Sequence, residues 1–362
     1  MERFQGCLLG GAVGDALGAP VEFMSRQEIL DRFGLDGITR YAKAFGGLGR
    51  ITDDTQMTLF TAEGLLRGWV RGCQRGITTY AGVAANAYLR WLRTQGMSPA
   101  YIAGPNSEET GWLYSQPALH SQRAPGHTCL SALQEMQHLG KPAQNNSKGC
   151  GGVMRVAPVG LFGWRLGQCA SPEQTFELGT ELAALTHGHP TGALTGGVLA
   201  VLILQLADGG TLTEALEVAT TILRQKPHHM ETLQALEHAQ ALSASGLSPD
   251  EAIARLGEGW IAEEALAIAV YCALIARDFR HGVILAVNHD GDSDSTGAIA
   301  GNLLGTLHGL SAIPQEWLSP LELHDVIQEL ASDLHAFRSW DIGEHSQDKA
   351  LLNRILQKYP GC

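Results

Sequence analysis

Two rows of glycine set the terms for this chain. Gly6, Gly10, Gly14 and Gly18 are each four residues apart, and so are Gly297, Gly301 and Gly305. Residues four apart share one face of an α-helix. A face of glycines has no side chains, so another backbone can approach it closely. The rows therefore predict tightly packed helices, and they account for an otherwise odd composition. Glycine is a poor helix former, yet there are 44 glycines in 362 residues. The first row carries Asp15 and leads to Glu22. The second directly follows a dense acidic stretch, HDGDSDST at 289–296.

The rest of the chain also reads as helical. Apolar residues recur at three- and four-residue steps in 53–70, with Met57, Phe60, Leu65 and Trp69, and in 211–223. Segment 262–276 is alanine-rich and nearly uncharged after its start, which predicts a buried helix. Segment 321–337 places Leu323, Val326, Ile327, Leu330 and Leu334 on one face. Alternating strand patterns are nearly absent, so the fold class is all-α. Loops are expected at 34–50, 96–127 and 141–152; none is a clear interdomain linker, and one domain over 1–362 is the expectation. The most apolar run, GGVLAVLILQLADGG, is too short for a membrane span.

The formal net charge of -12, with no Lys/Arg run, weighs against a nucleic-acid partner. Seven widely spaced cysteines without a CxxC pair form neither a disulfide framework nor a zinc cluster. A cytoplasmic protein is expected. The N-terminus has Asp15 inside its apolar run and no basic start, unlike a signal peptide.

Two motifs concentrate acid. Thr52-Asp53-Asp54 opens a predicted helix, where a capping residue followed by first-turn acids is a sufficient structural explanation. HDGDSDST resembles the start of a calcium loop, but counting from Asp290 puts Ser295 where glycine belongs and Gly301 where glutamate belongs. A solvated loop fits poorly with the apolar helix that follows. No Lys or Arg lies between Arg280 and Arg338. Carboxylates and hydroxyls are hard oxygen ligands suited to Mg²⁺, Mn²⁺ or Ca²⁺, and two such clusters fit a pair of ions that activates water.

Four blocks, in order, resemble the ADP-ribosylglycohydrolase family: GCLLGGAVGDALGAPVEF, ITDDTQMTL, NNSKGCGGVMRVAP with ALTHGHP, and NHDGDSDSTGAIAGNLLG. The resemblance implies a compact orthogonal helical bundle with two Mg²⁺ ions in a central cleft, Mn²⁺ being a possible substitute. It implies Thr52, Asp53 and Asp54 as ligands of one ion, Asp292 and Ser295 as ligands of the other, and Asp294 as the bridge. Glu22 matches a gating or metal-side glutamate; Glu22, Asp53 and Asp294 are the implied catalytic groups. The loop from Ser147 through Gly149, Gly151 and Gly152 resembles one that cradles a diphosphate, and His187 one that lines the ADP-ribose cleft. Cys150 and Asp290 depart from the family pattern, with asparagine and glycine respectively common there, and Ser295 stands where threonine is common.

The implied activity is hydrolysis of the bond between an acceptor and ADP-ribose. An arginine on a protein is the expected acceptor, as in the bacterial arginine-directed branch. The alternatives are an immunity-type protein that occludes an ADP-ribosylating toxin, or a hydrolase of a free metabolite such as O-acetyl-ADP-ribose. The expected partners are thus an ADP-ribosylated protein or ADP-ribose, and in the immunity reading a toxin transferase. His189 reads as a helix-junction residue before Pro190. Asp15 reads as either a ligand-orienting acid or a helix-face acid, and Arg155 as pairing either a phosphate or a structural carboxylate.

Overall fold

The computed structural model describes residues 1–101, 110–343 and 345–361. Part of the loop expected at 96–127 and the last cysteine, at 362, lie outside the described residues. Among the described residues there are seventeen α-helices and no strand. Helix ends follow local chemistry. Ser25, Ser171, Thr211 and Ser248 each close a capping box with an acid or amide three residues on. Gly76 and Gly209 end their helices in the left-handed conformation.

The predicted helices appear as Asp53–Arg75, Leu212–Leu223, Ala262–Ile275 and His324–Ala336. One expectation needs correction. The apolar run at 196–210 belongs to a 19-residue helix, Pro190–Asp208, which is long and apolar enough to cross a membrane by length and composition. It extends further than expected because Thr191 to Thr195 add a helical turn capped by His189. The helix is packed inside the protein, with 89% of its apolar window buried. Leu199, Val201 and Ile203 are fully buried there, each contributing about 1.5–3 kcal/mol by removal from water.

The two glycine rows pack against each other. The first helix, Glu2–Gly18, lies antiparallel to the helix Ser293–His308. A Cβ at Gly6 would fall 2.1 Å from the Gly305 carbonyl oxygen, one at Gly10 2.4 Å from that of Gly301, and one at Gly14 1.9 Å from that of Gly297. A Cβ at Gly18 would meet the Ser293 oxygen at 2.3 Å. No alanine fits any of these positions at this spacing. The consequence is positional: the end of the first helix, with Asp15 and the turn to Glu22, is set beside the start of the aspartate-bearing helix.

The buried apolar residues form a cluster running from Phe4 to Tyr359. Among the described residues the cysteines are free thiols, with Cys7, Cys129 and Cys272 buried. Beneath the Asp53–Arg75 helix, Glu63 accepts from Arg90 at 2.8 Å, with both side chains buried.

Candidate active site

Thr52 is the cap of the helix Asp53–Arg75; its hydroxyl accepts the Asp54 N–H at 3.2 Å. Asp53 and Asp54 therefore occupy the first turn, as helix electrostatics favour. The capping reading of this motif is correct, and it leaves the carboxylates available for a further role. Asp15 holds the whole turn in place. Its carboxylate accepts the Thr52 N–H at 3.0 and 3.1 Å, the Thr55 N–H at 3.2 Å, and the Thr55 hydroxyl. Asp15, on the first helix, is thus the buried acid that holds the start of the Asp53–Arg75 helix.

The second start is built alike. Asp292 caps the helix Ser293–His308 and accepts the Ser295 N–H at 3.3 Å. Asp294 accepts the same N–H at 2.9 Å. Because the glycine rows bring this helix against the first, both acidic helix starts open on one cavity of about 210 Å³. Glu22, Asp53, Asp54, Asp292, Asp294 and Ser295 all line it. Gly149, Cys150, Gly151 and His187 line it as well, as do Gly126, Thr128 and Trp260. Thr52, Ser147 and Gly152 lie behind these residues. Thr52 is fully buried, Ser147 bonds to the Thr128 hydroxyl at 3.1 Å, and Gly152 packs against the Gly192 carbonyl and His187.

Electrostatics mark the cavity as a place of unbalanced negative charge. None of its carboxylates is in an ion pair among the described residues. Burial first, then Asp292, Asp53 and Asp15, raise the Glu22 carboxyl to about 9. Burial, opposed by the Gly126 N–H and reinforced by Asp15 and Asp292, raises Asp53 to about 8. Asp54 and Asp294 are pushed well above the carboxylate range, again by burial first and then by neighbouring acids. Asp54 Oδ1 is buried without a hydrogen-bond partner. An unpaired buried acceptor is costly, and clustered buried acids need protons or a cation.

The donor set suits a hard divalent cation: four aspartates, one glutamate and a serine hydroxyl. Among the described residues, no three Asp, Glu, His or Cys side chains are already gathered around one point. The acids are instead spread along the cavity wall, from two helix starts and the Glu22 turn. Cys150 adds a soft atom. Its thiol donates to Asp292 Oδ2 at 2.8 Å and lies 3.6 Å from Ser295 Oγ.

His187 is held in place through Thr186. Arg155 donates to the Thr186 hydroxyl at 2.7 Å, and that hydroxyl is hydrogen-bonded to His187 Nδ1 at 2.8 Å. The other ring nitrogen, Nε2, lies on the side of Gly149. Burial, with help from Arg155, lowers the imidazole to about 3. His187 is therefore a neutral imidazole at the cavity wall. Arg155 meets neither sequence reading: it is fully buried and donates to the Gly151 and Leu182 carbonyls at 2.8 and 3.1 Å. Its place is behind the loop, out of reach of a phosphate. His189 caps the Pro190–Asp208 helix, accepting the Thr191 N–H at 3.2 Å.

Several lining residues lie outside the acidic and glycine-rich motifs. Gly126 donates its N–H to Asp53 Oδ2 at 3.1 Å. Trp260 belongs to the strap 257–261. In that strap the Glu258 carbonyl accepts the Asp292 N–H at 2.8 Å and the Trp260 carbonyl accepts the Cys150 N–H at 3.2 Å. A tryptophan directly after a Gly-Glu-Gly run and just before an apolar helix was the available clue.

The fold and the cleft together define an all-α protein with an acid-lined cavity built from two helix starts. Comparison with known proteins is specific. The sequence model of the ADP-ribosylglycohydrolase family matches residues 1–342, and the chain belongs to that family. It is 27% identical to ADP-ribosyl-[dinitrogen reductase] glycohydrolase of Rhodospirillum rubrum, over 89% of this chain and 91% of the relative. It is 29% identical to ADP-ribosylarginine hydrolase Tri1 of Pseudomonas putida, over 92% of this chain and 78% of the relative. A solved structure described as an ADP-ribosylglycohydrolase-related protein complex superposes with a TM-score of 0.67. That match has 28% identity and covers 93% of this chain and 98% of that one.

Proposed function

We propose that the protein is a divalent-metal-dependent hydrolase that releases ADP-ribose from a modified arginine side chain. The observation that carries this reading is the convergence of Asp53 and Asp54 with Asp292, Asp294 and Ser295 on one cavity, beside Glu22 and His187. The names of the relatives support the ADP-ribosyl bond as the target, and one of them names arginine.

Thr52, Asp53 and Asp54 at one helix start and Asp292, Asp294 and Ser295 at the other would hold the divalent cations, Mg²⁺ being the expected one. Bound there, such ions supply Lewis-acid polarisation and offset the charge of the acids. The protein's own groups do the rest. Asp15 and the two caps fix the aspartates before substrate arrives, so little orientation is lost at reaction. His187 stays neutral, so it can hydrogen-bond a substrate oxygen without adding a competing cation. Water adds its oxygen to C1″ as the C–N bond breaks, and its proton ends on the departing guanidine nitrogen. Glu22 lines the cavity beside Asp294, which suits it to carry that proton.

The test is incubation of the purified protein with arginine-, serine- and nucleobase-linked ADP-ribose, each with Mg²⁺ and with a chelator. Mg²⁺-dependent release from the arginine linkage alone is the expected result. Release unaffected by thorough chelation, or restricted to another linkage, defeats the corresponding half of the reading.

A further inference from the structure

Two large aromatic side chains stand exposed at the mouth of the acid cavity. Phe23 is 74% exposed and Trp260 37% exposed. Their rings are stacked, with centroids 5.6 Å apart and planes at 18°. Phe23 directly follows Glu22, and Trp260 itself lines the cavity. Both rings are held by their backbones. The strap carrying Trp260 is bonded to Asp292 and Cys150, as described above. The turn carrying Phe23 is held by the Met24 N–H to the Val21 carbonyl at 2.9 Å and by the Arg26 N–H to Asp290 at 2.7 Å.

The surroundings are acidic. The Trp260 indole N–H donates to Glu258 Oε2 at 3.2 Å. On its other side Trp260 walls a neighbouring hollow of about 540 Å³, into which Asp250, Glu258, Glu264 and Asp290 face. The basic group in that hollow, Arg26, is paired with Asp250. Lys148, behind the strap, is paired with Glu231 and Glu263.

We propose that the Phe23–Trp260 pair is the acceptor-recognition platform, selecting a planar cationic side chain, a guanidinium, at the scissile end of the substrate. Aromatic faces attract a flat cation, most strongly where water is partly excluded. Carboxylates around the rings strengthen that preference and oppose an anionic group. The substrate's diphosphate is therefore directed to Gly149, Gly151 and His187, and the guanidinium to the ring pair. The platform deepens the arginine reading and rests on it.

The test uses the full chain with Mg²⁺ and the variants Phe23→Leu and Phe23→Tyr. Phe23 is mostly exposed, so both are expected to fold. Phe23→Leu keeps an apolar side chain but removes the π face. Its kcat/KM for ADP-ribosyl-arginine is expected to fall roughly five- to tenfold, mainly through KM, with the dissociation constant for free ADP-ribose unchanged. Phe23→Tyr is expected to restore the wild-type value. Three outcomes overturn the platform: Phe23→Leu matching wild type, Phe23→Tyr failing to rescue, or ADP-ribose affinity falling in the same proportion. The last would place the adenosine end on the rings instead. If the wild-type protein does not cleave ADP-ribosyl-arginine at all, the arginine reading fails and the platform with it. If it does and Phe23 is indifferent, the platform alone fails.

Discussion

The backbone N–H of Arg26 donates to Asp290 Oδ1 at 2.7 Å. This bond gives the aspartate that stood apart in the acidic stretch a structural position. Asp290 holds the start of the helix Arg26–Phe33, whose cap, Ser25, lies just beyond Glu22 and Phe23. The other two aspartates of the stretch face the cavity. Asp290→Ala should therefore retain activity, reduced about two- to fivefold by looser placement of Glu22, the size of effect of one anion at a helix start. Asp294→Ala should abolish ADP-ribose release. Steady-state assays of the two variants side by side check the division of labour; equal loss would contradict it.

Asp15→Ala should destabilise the protein strongly. The substitution leaves the Thr52 and Thr55 N–H groups buried without their acceptor, at about 1–3 kcal/mol for each. A drop of roughly 2–5 kcal/mol in denaturant unfolding is expected on that basis. A change below about 1 kcal/mol would show that water replaces the carboxylate fully.

The glycine rows predict opposite outcomes for the same substitution. Gly14→Ala places a methyl group 1.9 Å from the Gly297 oxygen and should force the two helices apart, giving insoluble or poorly folded protein. Gly72→Ala meets its nearest neighbour, Thr78, at 3.5 Å, an ordinary contact. It should be neutral or stabilising by about 0.5–1 kcal/mol, since alanine is the better helix former. Thermal melts of both variants decide the matter.

Chelator-treated protein should lose stability as pH rises. Burial first holds Asp15 at about 6, Asp53 at about 8 and Glu22 at about 9, all above the ordinary carboxylate range. Between roughly pH 4 and pH 9 the folded state then binds more protons than the unfolded chain, so the stability these groups contribute is present at low pH and is lost on the way up. Melting temperatures at pH 5.5, 7 and 9 should fall in that order for this cluster. Added Mg²⁺ should raise the melting temperature most at pH 9, where fewest protons compete. A flat or rising series without metal would contradict the buried-acid account.

Arg155→Lys should lower both stability and ADP-ribose affinity. The guanidinium joins the Gly151 and Leu182 carbonyls and, through Thr186, holds His187 in place. A lysine ammonium cannot reproduce that planar fork. Loss of about 1–3 kcal/mol in unfolding is expected, with weaker ADP-ribose binding by titration calorimetry. Unchanged binding would separate His187 from the substrate wall.

Helical periodicity, capping residues and the four-residue glycine spacing were legible in the linear chain because each is a local or single-helix property. The split of the acids into two clusters was legible too, since both clusters sit at helix starts. Other facts needed the folded molecule. Asp15 meets Thr52 across 37 residues and Cys150 meets Asp292 across 142. Arg155 looked able to reach a phosphate, yet it is spent on carbonyls behind the loop. Trp260 and Phe23 meet at the cavity mouth although no period links them. The amino-acid sequence by itself determined the helices, their caps and which of them can touch backbone to backbone. Only the tertiary structure decided which acids share a cavity and which rings guard it, because those neighbours are chosen by close packing between segments far apart in the chain.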